Sequence, residues 1–196
     1  MSYEDEYEYK PSILSIIWSW IWSFIVAFII VGVVYFFLGR PFTVSGASMY
    51  PTLHNGDRMV LSKVGDIHRF DVVILKAPDE NVEYIKRVIG MPGDTVEMKS
   101  GVLYINGKKV DQPFINTEAL AKQTVFMDDF TLESLTGESK VPEGKYFVLG
   151  DNRGVSKDSR MIGFIDRSAI EGKAVFTIWP FGRIGGQKDY SYLYSE

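Results

Sequence analysis

The stretch VSGASMYPTL, residues 44–53, sets Ser48 between an alanine and a methionine, after a glycine and before a proline. A serine hydroxyl becomes a nucleophile at neutral pH only when a base takes its proton, and histidine is the usual partner. The chain has 2 histidines. His54 and His68 both lie in polar, turn-like stretches, LHNGD and GDIHRFD, which read as solvated loops. A different base is offered by VEYIKRVIG, residues 82–90, where Lys86 sits inside a strand-like apolar run. Period-two alternation puts Tyr84, Lys86 and Val88 on one face and Ile85, Arg87 and Ile89 on the other. To act as a base, Lys86 must be largely neutral, which requires its pKa to fall from about 10.4 by roughly three units, about 4 kcal/mol against the ammonium form. Burial among apolar groups supplies a shift of that size, while Arg87 keeps its charge and needs a carboxylate on its own face. The same segment also reads as an edge strand whose lysine snorkels into water, and the segment alone leaves both readings open.

A third segment, YFVLGDNRGVSKDSR at residues 146–160, follows a strand with a loop dense in charge. One reading is a capped, salt-bridged surface loop. The other is a support in which Ser156 orients Lys86 while Asp151, Asp158 and the arginines lock the loop. Other chemistries find little footing. Without cysteine there is no thiol nucleophile, disulfide or thiolate metal site. Two histidines without HExxH or similar spacing imply no metal centre, and nothing implies a cofactor. A net charge of −4 without a Lys/Arg block argues against a nucleic-acid partner.

The elements that must position these residues follow from pattern. Ser12 to Leu38 contains no ionisable acid or base. As a helix it is roughly 40 Å long against a hydrocarbon core of about 30 Å, enough to cross a bilayer with tilt. Trp18, Trp20 and Trp22 lie near one end and Tyr35, Phe36 and Phe37 near the other, where aromatic rings favour the interface. The preceding MSYEDEYEYK is acidic, unlike the basic start of a cleaved signal, so a retained span is expected. Lys10 on one side and Arg40 and Arg58 on the other do not decide its orientation. Beyond Gly39-Arg40-Pro41 the composition becomes that of a β domain. The predicted strands are Met59–Ser62, Asp71–Lys76, Glu83–Ile89, Val102–Ile105, Lys108–Val110, Tyr146–Leu149 and Lys173–Ile178. Asn106-Gly107 supplies a type I′ hairpin turn and Met91-Pro92-Gly93-Asp94 a type II turn, which together predict antiparallel sheet. Residues 111–141, polar and acidic with scattered aromatics, read as an irregular lobe or insertion.

Taken in order after the apolar segment, GASMYPTL, YIKRVIGMPGD and GDNRGVSKDSR resemble the serine, lysine and GDNR boxes of type I signal peptidases. AVFTIWPFGRIG resembles the closing segment of that family, and the likeness covers essentially residues 40 to 186. The single span resembles the Gram-positive form. The resemblance implies a mainly β, antiparallel-sheet catalytic fold of the signal-peptidase and LexA-like kind. It implies Ser48 as nucleophile and Lys86 as general base, Ser156 hydrogen-bonded to the lysine, and Asp151, Arg153, Asp158 and Arg160 as supports. It also implies a cytoplasmic N-terminus at 1–11, a transmembrane helix at 12–38 and an extracytoplasmic catalytic domain at 40–196, cleaving signal peptides from secreted preproteins through an acyl-enzyme. The Ser48 backbone N–H is the natural first oxyanion donor. Some relatives carry a serine two residues before the nucleophile; this chain has Gly46, which leaves Ser45 as a nearby hydroxyl. The resemblance also implies a preference for small residues before the cut, and hence shallow apolar pockets, with Met49, Val72 and Ile74 as candidate walls. Trp179 and Phe181 read either as core or as a surface resting on lipid headgroups. A LexA-type self-cleaving protein is disfavoured, because the chain has no Ala-Gly pair and a membrane span stands where a DNA-binding module belongs. A catalytically silent β module that binds secreted chains is the alternative from another class.

Overall fold

An unbroken apolar run followed by short apolar segments divides the chain into two units, Met1–Phe37 and Leu38–Glu196. The computed structural model describes residues 12–38, 41–115 and 129–194, with backbone alone at 34–38. The proposed N-terminal tail 1–11 and the central part of the 111–141 lobe, residues 116–128, lie outside the described residues.

In the first unit, α1 spans Ile13–Leu38, and its Ile13–Val33 stretch has a mean hydropathy of 2.3, long and apolar enough to cross a membrane. A helix is suited to lipid because it satisfies its backbone groups internally. The serine hydroxyls follow the same logic: Ser15, Ser19 and Ser23 donate to the carbonyls of Ser12, Ile16 and Ser19.

The second unit is built on two antiparallel sheets. Its strands are β1 Pro41–Thr43, β2 Arg58–Ser62, β3 Val72–Lys76, β4 Glu83–Gly90, β5 Val96–Lys99, β6 Val102–Ile105, β7 Lys108–Val110, β8 Phe130–Thr131, β9 Lys145–Leu149, β10 Ile165–Asp166, β11 Ile170–Trp179 and β12 Gly185–Gly186. The larger sheet runs β1-β2-β11-β3-β4-β9-β10, with β12 on β11; the smaller runs β7-β6-β5-β8. Asn106 and Gly107 take φ of +51° and +73°, the pair of positive angles that a type I′ turn demands, and thereby set the β6–β7 register. Gly93, at φ +86°, lets the Asp94 N–H reach the Met91 carbonyl at 3.0 Å.

Within the 111–141 lobe the described flanks are ordered by the residues that interrupt its polarity. Phe114, Ile115, Phe130, Leu132 and Val141 are buried in one core with Phe147 and Ile89. β8 pairs with β5, and a one-turn helix, Leu132–Thr136, is capped reciprocally by Thr131 and Ser134. A second core, formed by Phe42, Met49, Leu53, Val72, Ile74 and Ile85 among others, underlies the segment between β1 and β2.

Candidate active site

Ser48 lies on the loop between β1 and β2, and the loop is fastened at both ends. The Val44 N–H donates to the Asp57 carbonyl at 2.8 Å, the Gly46 N–H to Asn55 Oδ1 at 2.9 Å and the Leu53 N–H to the Met49 carbonyl at 2.9 Å. Met49 and Leu53, each 1% exposed, anchor the loop in the core beneath it. From the opposite side, Asn152 donates its backbone N–H to the Ser48 carbonyl at 2.9 Å and its amide to the Ala47 carbonyl at 3.1 Å. These bonds hold the backbone on either side of Ser48 and leave its Oγ facing a cleft of about 440 Å³.

Lys86 enters that cleft from β4, where it pairs with Val73 of β3. Its Nζ lies 3.0 Å from Ser48 Oγ and 2.9 Å from the Ile85 carbonyl. The side chain is 3% exposed, and burial pushes its pKa down to about 8, against the opposing pull of Asp158 and Asp151. At pH 8 about half of such amines are neutral, whereas an ordinary lysine is almost wholly charged.

Arg87 faces the other way. Its Nε and Nη2 meet the Asp151 carboxylate at 2.9 and 2.6 Å, its Nη1 donates to the Phe70 carbonyl, and its guanidinium lies 4.3 Å from the centre of the Phe114 ring. Arg87 and Asp151 are both buried, a two-bond pair that water hardly reaches. Asp151 also accepts the Thr52 hydroxyl at 2.6 Å, tying the Ser48 loop to β4 and to the loop after β9. That last loop is organised by Asp158. Its carboxylate accepts the Gly150 N–H at 2.9 Å and Arg160 Nε at 2.8 Å, and it caps the helix Ser159–Ile162. Arg160 reaches the Arg153 carbonyl at 2.7 Å, and Arg153 donates Nε to the Gly150 carbonyl at 3.0 Å. Burial pushes the Arg153 pKa down to about 10.

Several expectations need correction. The resemblance implies a bond from Ser156 to Lys86, and the structure does not form it. Lys86 directs its amine to Ser48 and Ile85, and the buried Ser156 Oγ has no hydrogen-bond partner among the described residues. Ser156 packs instead against Gly150: a Cβ built there stands 2.1 Å from Ser156 Oγ and 2.6 Å from the Ser48 carbonyl oxygen. Met49, Val72 and Ile74, expected as pocket walls, are buried in the core below, and the apolar lining of the cleft includes Phe42, Tyr84, Ile85 and Val155. Ser45 does line the cleft. Trp179 and Phe181, whose sequence allowed either core or surface, are 45% and 75% exposed and stack edge-to-face at 4.7 Å.

Sequence reasoning missed Asn152, Thr52 and Gly150. The unbroken polar run Asp151-Asn152-Arg153 carried a signal for the first; the hydroxyl of Thr52 carried none. The Gly150 contact yields a prediction. In Gly150→Ala the new methyl displaces either Ser156 or the Ser48 carbonyl, so peptidase turnover falls by about tenfold or more while Lys86 stays in place. Steady-state kinetics beside a thermal melt checks it; unchanged turnover shows that the Ser48 backbone tolerates the shift.

The chain matches the family model for signal peptidase, peptidase S26, over residues 17–179. It is 47% identical over 156 residues to a signal peptidase I of Bacillus licheniformis, an alignment covering 76% of this chain and 81% of that one. It is 44% identical over 162 residues to a signal peptidase IB of Staphylococcus aureus, covering 76% and 84%. A crystal structure of a signal peptidase I from Enterococcus faecalis superposes with a TM-score of 0.51 at 41% identity, covering 56% of this chain and 97% of that chain.

Proposed function

The chain belongs to the signal peptidase family, peptidase S26, and from that premise we propose how it removes signal peptides from secreted preproteins, with Ser48 as nucleophile and Lys86 as general base. The observation that carries this reading is the 3.0 Å approach of Lys86 Nζ to Ser48 Oγ, made by a buried amine. Neutral Lys86 takes the Ser48 proton as Oγ attacks the scissile carbonyl. The Ser48 N–H, with the Ser45 hydroxyl in the same cleft, donates to the oxyanion. The tetrahedral intermediate collapses as Lys86 passes its proton to the leaving amine, the C–N bond breaks and an acyl-enzyme remains. Water then attacks the ester, Lys86 removes its proton, and the proton returns to Ser48 as the peptide acid departs. Asp151, Arg153, Asp158 and Arg160 hold the loops that bring the two groups together, and Ser156 packs behind the nucleophile. The domain plan fits this chemistry: residues 1–11 in the cytoplasm, 12–38 across the cell membrane and 40–196 outside, with Trp179 and Phe181 against the headgroups.

The purified full-length protein in detergent is expected to cut a preprotein at a rate that climbs with pH through about 8. Its kcat/KM falls about tenfold per pH unit below that point, because only the unprotonated amine serves as base. Ser48→Ala leaves the preprotein uncut; cleavage by that variant at the parent rate refutes the assignment.

A further inference from the structure

The cleft carries a second charged cluster at its mouth. Lys157, in the loop after β9, reaches the turn that joins β3 to β4: its Nζ lies 2.6 Å from Asp79 Oδ2 and also pairs with Glu80, 77 positions away in sequence. Both segments form walls of the same cleft, β4 through Tyr84 and the loop after β9 through Val155 and Lys157 itself. Behind Lys157 the loop is fixed to the fold by the buried Asp158, so the lysine ties an otherwise outlying turn to a rigid support. The Tyr84 ring also stands 5.0 Å from Lys86 Nζ, which places this wall directly beside the proposed base.

An isolated exposed ion pair adds little to global stability. Here a single ammonium meets two carboxylates and bridges distant segments, so its effect falls on geometry. Hydrogen bonds that Lys157 donates to Asp79 and then Glu80 hold it above the ordinary lysine range, and the same contact holds Asp79 below the ordinary carboxylate range. Lys157 and Asp79 therefore stay charged across the pH interval in which Lys86 titrates.

We propose that Lys157 is a positioning residue for substrate capture: by clamping the β3–β4 turn to the loop after β9, it fixes the spacing of Tyr84 and Val155 and thus the fit of the chain that enters the cleft. The inference rests on the peptidase reading of that cleft.

The test uses full-length protein in detergent and a purified preprotein. Lys157→Met is expected to raise KM about fivefold or more, with kcat within about twofold and the pH limb near 8 unmoved. Lys157→Arg restores KM. Salt at ~0.5 M raises the KM of the parent more than that of Lys157→Met, because the variant has no clamp left to screen. Backbone amides of residues 77–82 exchange with deuterium faster in Lys157→Met than in the parent. Should Lys157→Met fold poorly, the double variant Asp79→Asn/Glu80→Gln removes the clamp from its exposed side and must show the same KM rise. An unchanged KM in both variants overturns the proposal, as does a fall in kcat at constant KM. Parent cleavage that is lost in Ser48→Ala keeps the peptidase reading standing in either case, so the two can fail separately.

Discussion

Replacing Lys86 by methionine lowers kcat/KM for preprotein cleavage by about 10²- to 10⁴-fold, the range that a positioned general base supplies. The loss falls on kcat, because Lys86 in the proposed role acts on the proton in transit rather than on the substrate's hold. Methionine keeps the length and removes the basic amine, so the fold survives. It also becomes more stable at neutral pH. Lys86 has a pKa of about 8 in the folded protein against an ordinary 10.5, so between these values the unfolded chain binds more protons. Stability therefore rises with pH across that window, and below pH 8 the buried ammonium costs the fold up to about 3 kcal/mol. Lys86→Met removes that cost: its melting temperature exceeds the parent's at neutral pH and the gap narrows as pH approaches 10.5. Kinetics together with melts across this range checks both halves. A variant that is inactive and also less stable at neutral pH indicates a structural lysine.

The largest stability effect is expected at Asp151. Arg87 and Asp151 are each 1% exposed and joined by two hydrogen bonds, so Asp151→Ala strands a guanidinium that cannot lose its charge. A loss of about 3–5 kcal/mol follows, measured by chemical denaturation of the full-length protein in detergent. The same change takes away the acceptor of the Thr52 hydroxyl, so the Ser48 loop loosens and turnover falls as well. Replacing both charges, as Arg87→Met with Asp151→Leu, recovers much of the stability without the turnover, because apolar packing substitutes for the pair but not for the tether at Thr52. A cost below about 1 kcal/mol for Asp151→Ala means that water reaches the guanidinium.

What was legible in the sequence was whatever had a local cause. Asn106-Gly107 dictates its own backbone angles, and the two strands around it, Val102–Ile105 and Lys108–Val110, are as predicted to the residue. Alternation in YIKRVI put Lys86 and Arg87 on opposite faces, as the structure has them, one at Ser48 and the other at Asp151. Of the strands left unpredicted, β1, β8, β10 and β12 have only two or three residues, too few to show a period, and β5 has four. The site's tethers were illegible for another reason: Thr52 meets Asp151 across 99 positions and Asn152 meets Ala47 across 105. Met49, Val72 and Ile74 show a third limit. An apolar residue near Ser48 can wall the cleft or floor it, and only packing distinguishes the two; these three belong to the floor. Ser156 fails likewise, since its close packing against Gly150, six positions before it, is a contact that spacing alone does not reveal.

The dyad mechanism rests on a Lys86 pKa lowered by burial to about 8, which leaves a working fraction of neutral amine at Ser48 near physiological pH. Its most direct test is an NMR titration of the lysine ε-methylene groups in full-length protein, with the Lys86 signal assigned by its loss in Lys86→Met. A midpoint at about 8 is expected for that one signal; a midpoint near the ordinary value of about 10.4 rules the mechanism out.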